Sequence, residues 1–450
     1  MKKIPKIKLG KKPTYIKFAQ DVDFYTLFQK IEQYFDTCFI YESLAKEEKF
    51  SRYSLIGFSP KHIISAKENM FYFDGKEYQV KNSYETLKKI MPETTLARHF
   101  TGGLIGYLSY EAVNYFETSI SVKVHEKFDQ FLFGAYTDGL ILDKLTGEIF
   151  YFYYDQNRLD LVKKISKTKL LEKKVKITFI KDGLTKKEHG EIVEKVLEEI
   201  RAGNTFQCEV GMKSEYEIIG DTIEIYTKLR KVNPSPFMYY LKFKNKKLIG
   251  ASPELLFSLR DGEITTKPLA GTARRGKTKQ EDRELARKLL NDPKEKAEHV
   301  MLVDMSRNDV GHISRFGSVK VRDLMEIKKL SHVQHISSEV VGIIKKEEDM
   351  FSGLASNFPM GTVCGTPKIE TVKIIDRNEP DARGPYGGAV GQFGFNGDCI
   401  FTLPIRSLFI FDNYAYTQTS SGIVYDSVAE REYQEITDKL AAMRKVLEEV

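Results

Sequence analysis

Tryptophan is missing altogether from this chain of 450 residues, and only four cysteines occur, Cys38, Cys208, Cys364 and Cys399. They follow neither a pairing rhythm nor a metal-ligand spacing, so a disulfide scaffold and a thiolate metal site are excluded and the thiols read as cytosolic. No apolar run reaches the roughly 18–20 residues of a membrane-spanning helix. The basic start Met1-Lys2-Lys3-Ile4-Pro5-Lys6 lacks a following apolar segment, which argues against secretion. There is no repeat at a period of roughly 20–50 residues, no P-loop, no dinucleotide fingerprint and no nucleophile triad.

Neither sign of charge is scarce. The chain carries 70 Lys and Arg against 63 Asp and Glu, a net +7. A nucleic-acid binder would gather that excess on one face. The densest run, from Lys163 to Lys187, opposes Glu172 and Asp182 only. It reads as a polyanion patch or as a solvated linker, and the linker is the expectation here. Neither nucleic acid nor membrane is expected as a partner.

Up to about residue 155 the chain shows short β-rich runs such as Phe131-Leu132-Phe133-Gly134-Ala135-Tyr136, separated by turn signals such as Asp74-Gly75. Beyond the lysines, Ile192, Val193, Val196, Leu197 and Ile200 form a helical stripe that stops at Gly203. Strands are expected at 237–243 and 248–257, and helices at 281–290 and 294–304. A hairpin of 388–395 with 399–411 would turn at Asn396-Gly397 with two positive φ angles. A last helix from Ala429 buries Tyr433, Ile436, Leu440, Met443 and Leu447. The expected organisation is an N-terminal region of residues 1–160, a lysine-rich linker of 161–187 and a C-terminal region of 188–450, with α and β mixed.

Three spots carry candidate chemistry. In Asp292-Pro293-Lys294-Glu295, proline at the first helical position and Glu295 three residues after the aspartate make a capping box. That box leaves Glu298, on the same helix face, unexplained. Glu432, Glu435 and Lys439 lie beside the buried stripe of the last helix. They either snorkel or, with Glu295 and Glu298, hold a hard divalent cation such as Mg²⁺. The third spot, Arg383-Gly384-Pro385-Tyr386-Gly387-Gly388-Ala389-Val390-Gly391, is a glycine-rich edge. There the hairpin register makes Tyr386 and Arg406 neighbours, brought to one side by a bulge at Gly387-Gly388, and the pair suits a small carboxylate.

These residues sit in longer runs that carry a resemblance. They include Gly250-Ala251-Ser252-Pro253-Glu254, Lys267 through Gly276, Asp292 through Asp309, and His332 through Glu339. Phe358 through Lys368, Arg383 through Gly394 and Gly422 through Ser427 continue the series. Together they closely resemble the chorismate-utilising enzymes, and among them anthranilate synthase component I. The N-terminal region agrees more loosely, through Glu42-Ser43 and Arg52 through Gly57.

The resemblance implies an α+β anthranilate synthase-like fold, with two large antiparallel β-sheets packed between helices in one interwoven assembly. It also implies a lyase that adds ammonia to chorismate as a hydroxyl departs, then eliminates pyruvate to leave anthranilate. By position, Glu298 and Glu435 would bind Mg²⁺, supported by Glu295 and Glu432. Tyr386 and Arg406 would grip the enolpyruvyl carboxylate, helped by backbone around Ser421 and Gly422, with Lys439 nearby. Glu254 would be the acid, Thr272, Thr362 and His335 would line the ring pocket, and His335 would serve the elimination.

Two positions bear on the branch. Relatives that add water carry a lysine base where this chain has Gln207, so a ready nucleophile such as ammonia is implied. Many aminodeoxychorismate synthases have lysine where Ala270 stands, which favours the anthranilate product and leaves p-aminobenzoate synthesis as the alternative. The ammonia would come from a separate glutamine amidotransferase subunit. Feedback tryptophan would bind between Ile40-Tyr41-Glu42-Ser43 and Asn233-Pro234-Ser235-Pro236-Phe237-Met238, through Glu42, Ser43, Pro234 and Met238.

Overall fold

The computed structural model describes residues 3–10, 12–19, 21–45, 52–95, 100–171, 173–330 and 333–450. Met1, Lys2, Glu172 and His332 lie outside them. Among the described residues, two antiparallel sheets of twelve strands each dominate. The first runs from Thr14–Lys17 at one edge, through Thr37–Glu42, Phe237–Phe243, Lys246–Ser252, Ser407–Phe411 and Tyr414–Ile423, to Gln207–Gly220 and Val175–Asp182. The second holds Leu255–Arg260, Glu263–Lys267, Leu269–Arg274, Val333–Ile343, Ala389–Gly394 and Cys399–Thr402 together with N-terminal strands such as Gly103–Leu108 and Phe131–Tyr136. Residues from both ends of the chain build each sheet.

The continuous apolar runs follow from burial on both strand faces. Phe39, Tyr239, Leu241 and Phe409 of the first sheet meet Ile105, Leu132, Tyr136 and Val390 of the second in one layer. Their alternates, Cys38, Ile40, Met238 and Tyr240, turn outward onto helices Phe24–Tyr34, Ile223–Val232 and Ala429–Glu448. The α+β architecture of two large sheets between helices is therefore the observed one.

Three expectations need correction. The stretch 161–187 is no tether. Helix Leu159–Ser166 buries Val162 and Ile165, and Val175–Asp182 pairs along Gln207–Gly220 as an edge strand, so its lysines lie on a solvated edge. The 388–411 hairpin has a three-residue loop, with Gly394 N–H bonded to Asp398 O at 2.8 Å and only Gly397 at positive φ. A type I turn followed by a left-handed glycine replaces the two-residue turn. Lastly, 248–257 and 399–411 each contain two strands in different sheets, not one. Lys246–Ser252 belongs to the first sheet and Leu255–Arg260 to the second, while Cys399–Thr402 belongs to the second and Ser407–Phe411 to the first.

Candidate active site

The two places where the chain changes sheet lie side by side. Glu254 sits at one crossing, and its carbonyl accepts from Thr402 Oγ1 at 2.7 Å and from Leu403 N–H at 3.2 Å at the other. Arg406 ends that second crossing with φ +54°, a left-handed backbone that non-glycine residues seldom adopt. The Glu254 carboxyl is buried and accepts from Leu269 N–H at 3.1 Å. Burial pushes its pKa up to about 8, against the opposing effects of Leu269 N–H and the Thr362 hydroxyl. It is therefore an acid that keeps its proton at neutral pH.

Thr362, the neighbour of the Glu254 carboxyl, also walls a cavity of ≈ 80 Å³ together with Glu209, Tyr386, Arg406, Ser420 and Lys439, among others, while Glu254 itself does not line it. Arg406 donates to the carbonyl of Lys439 at 2.7 Å, and Lys439 Nζ reaches Ser420 O at 2.8 Å and Glu435 Oε1 at 2.6 Å. Tyr386 and Arg406 share this wall because the chain leaves the hairpin ladder after Thr402. The expected bulge at Gly387-Gly388 is not what brings them together.

The metal candidates come from two helices. Asp292 caps Pro293–Ile313 by accepting from the N–H of Lys294 and Glu295. The Glu295 carboxylate instead faces Gly271, with Oε2 2.7 Å from where a Cβ there would stand. Glu298 accepts from Gln207 Nε2 at 3.2 Å. Burial, with Glu435 adding, raises the pKa of both Glu298 and Glu432, and burial followed by Glu298 raises that of Glu295. Among the described residues no three acidic, His or Cys side chains already stand as a metal-holding group. The donor set nonetheless fits a hard dication: all oxygen, mutually repelling, and with Glu432 Oε2 buried without a partner.

His335 Nδ1 lies 2.8 Å from Gly271 O and 3.2 Å from Thr272 Oγ1. Burial lowers its pKa to about 4, so the ring is neutral. Ala270 pairs with Ile336 on the strand that carries both Gly271 and Thr272. The Ser421 hydroxyl is buried without a partner, and Gly422 pairs across the ladder with Glu209. A Cβ at Gly422 would lie 2.5 Å from Gln207 Nε2 and 2.7 Å from Glu209 Oε1, so a side chain there would displace the ends of both site residues.

With this geometry, the family model for chorismate binding enzymes matches residues 36–445. The chain belongs to that family. It is 48% identical to anthranilate synthase component 1 of Leptospira biflexa over 99% of this chain and 98% of that one. Identity to the Methanothermobacter thermautotrophicus protein of the same name is 39%, over 94% and 92%. In structure it resembles anthranilate synthase component I from Streptococcus pneumoniae, with TM-score 0.79 and 30% identity over 89% and 94% of the two chains. The menaquinone-specific isochorismate synthase of Escherichia coli shares the fold, with TM-score 0.75 at 18% identity over 99% and 96%.

Within this chorismate binding enzyme, Glu209 is the site residue that sequence reasoning missed. Its signal was available: Gln207 and Glu209 alternate on one strand face inside a buried run. A second cavity, ≈ 660 Å³, opens between the sheets and takes Tyr41, Glu42, Ser43, Phe237 and Met238 into its wall. Pro234 is not part of that lining. The Glu42 carboxylate is engaged by Arg230 at 2.6 and 3.0 Å and by Tyr226 at 2.8 Å, whereas the Ser43 hydroxyl is buried without a partner.

Proposed function

We propose that the chain is the large subunit of an anthranilate synthase, aminating chorismate with ammonia and then eliminating pyruvate in the first step of tryptophan biosynthesis in the cytoplasm. The observation that carries this reading is the Glu254 carboxyl, held protonated near neutrality next to Thr362, which walls the cavity bearing Arg406 and Lys439. Glu254 gives its proton to the departing ring hydroxyl, which leaves as water.

Tyr386 and Arg406, with Lys439 and the backbone at Ser421 and Gly422, bind the enolpyruvyl carboxylate. Thr272 and Thr362 line the ring. Gln207 has a buried Oε1 without a partner, an acceptor suited to an ammonia N–H. His335, neutral and protonated on Nδ1, offers Nε2 to take the ring proton when pyruvate leaves. Glu298 and Glu435, backed by Glu295 and Glu432, would hold Mg²⁺, which supplies Lewis-acid polarisation of the ring carboxylate.

A glutamine amidotransferase subunit supplies the ammonia in this reading, since no amidotransferase nucleophile motif occurs in the sequence. Tryptophan is the feedback inhibitor, and the cavity at Glu42, Ser43 and Met238 is its proposed site. The alternative is an aminodeoxychorismate synthase component I, which Ala270 disfavours. Product analysis with chorismate, ammonium and Mg²⁺ separates the two. Anthranilate with equimolar pyruvate supports the proposal, and an amino-chorismate without pyruvate contradicts it.

A further inference from the structure

Three buried groups behind the carboxylate grip form one hydrogen-bonded line. Tyr386 Oη lies 2.9 Å from Ser420 Oγ, and Ser420 Oγ lies 2.5 Å from Glu209 Oε2. Each side chain is almost wholly shielded. Glu209 comes from strand Gln207–Gly220, Ser420 from the adjacent strand Tyr414–Ile423, and Tyr386 from the glycine-rich turn. All three wall the same ≈ 80 Å³ cavity.

The two hydroxyls each have one proton to give, so the state of Glu209 sets the direction of the whole line. A Glu209 carboxylate can only accept. Ser420 then donates to it, Tyr386 donates to Ser420, and Tyr386 offers the cavity lone pairs. A substrate carboxylate also has only lone pairs. With a proton on Glu209 the line reverses: Glu209 donates to Ser420, Ser420 donates to Tyr386, and the Tyr386 O–H is free to point into the cavity.

Resting on the chorismate reading above, we propose that Glu209 is a positioning residue for the substrate's enolpyruvyl carboxylate. Through Ser420 it directs the Tyr386 hydroxyl, and the binding-competent state is the one with a proton on Glu209. The surroundings keep both states within reach near neutrality. Burial pushes Glu209 up to about 7, with Glu435 and Glu298 adding, while Lys439 and the Ser420 hydroxyl pull it down. The other titratable and charged groups facing this line are Glu254, which Glu209 helps to keep protonated, Arg406 in the same wall and the Arg383–Glu379 pair. Arg383 Nη2 donates to the Glu209 carbonyl at 2.9 Å, and its guanidinium lies 5.6 Å from the Tyr386 ring centroid.

The test is the pH dependence of KM for chorismate against that of kcat, at saturating Mg²⁺ and constant free ammonia, from pH 6 to 9. In the wild type, KM is flat on the acid side of the Glu209 titration and rises by up to about tenfold per unit on the alkaline side, because binding requires a proton that Glu209 has lost. Glu209→Gln keeps a donor toward Ser420 at every pH, so its KM stays near the acid-limit value throughout. Ser420→Ala cuts the line between Glu209 and Tyr386, so its KM is raised and independent of pH. Circular dichroism and thermal unfolding confirm that both variants fold, and Ser420→Ala carries the test if Glu209→Gln does not. A wild-type KM slope that persists in either folded variant overturns the assignment, as does a wild-type KM that is flat to pH 9. Wild-type chorismate turnover at pH 7 is read first on the same preparation: its absence overturns the activity and this inference together, whereas turnover with an unaltered slope overturns the hydrogen-bond line alone.

Discussion

His335 Nδ1 lies 2.8 Å from the carbonyl oxygen of Gly271. A carbonyl only accepts, so Nδ1 carries the proton and Nε2 keeps its lone pair. His335→Asn retains a donor toward Gly271 and loses the base. Pyruvate release in that variant is expected to fall by about 10²–10⁴-fold while chorismate is still consumed, and a non-aromatic amine accumulates. Chromatography of the reaction over time checks this; wild-type rates of pyruvate release would exclude His335 as the base. The same ring also makes the fold pH-sensitive. The unfolded chain takes up a proton near 6.5 and the folded one only near 4, so this site weakens the fold as pH falls between those values.

The acidic helices make opposite predictions with and without metal. Glu298 is half-buried among mutually repelling carboxylates, of which Glu432 is buried and Glu435 exposed. Without a divalent ion, Glu298→Gln is expected to unfold about 1–3 °C higher than the wild type. Adding Mg²⁺ should raise the wild-type unfolding temperature and leave that of Glu298→Gln almost unchanged. Calorimetry reads both, and an equal Mg²⁺ response in the two proteins would remove Glu298 from the ligand set.

Arg406 is held by a left-handed backbone and by its bond to the Lys439 carbonyl. Lysine in its place lacks the planar fork that matches a carboxylate. Arg406→Lys should raise KM for chorismate by about 10–100-fold, in line with the roughly 1.5–3 kcal/mol of a charged hydrogen bond, with kcat changed far less. Steady-state kinetics decide, and an effect confined to kcat would contradict the carboxylate role.

The large cavity between the sheets is expected to bind tryptophan. A ligand at about a hundredfold over its Kd stabilises by roughly 2.7 kcal/mol, which a thermal shift detects. Ser43→Phe fills the cavity at its wall and should abolish that shift. A shift that survives the substitution would place tryptophan elsewhere.

Much of the fold was legible where the signal is local. The stripe of the last helix and the Asp292-Pro293 helix start depend only on neighbours three or four residues apart, and both are present, although Tyr433 is only half-buried and Glu295 turns to Gly271 rather than completing a capping box. The sheet crossings were not legible. Hydrophobic continuity through 248–257 and 399–411 does not mark where a strand leaves one sheet for another, yet those steps are what place Glu254 and Arg406. The lysine-rich stretch misled for a different reason: Val175, Lys176, Ile177, Thr178 and Phe179 alternate as a half-exposed strand does, but the density of lysines around them reads as a solvated linker. Glu209 went unnoticed because its one local mark is the strand face it shares with Gln207, and its importance comes from Ser420 and Tyr386, far away in sequence.

The most direct test of the account is kcat for anthranilate formation from pH 6 to 9, in the wild type and in Glu254→Gln. Glu254 acts as an acid with its pKa raised to about 8, so it is protonated and active below that value. The wild-type kcat should therefore fall as pH rises through about 8, and Glu254→Gln should lose about 10²–10⁴-fold below it with no such limb. A wild-type kcat that stays level or climbs to pH 9, or a Glu254→Gln variant that turns over at the wild-type rate, would contradict the account.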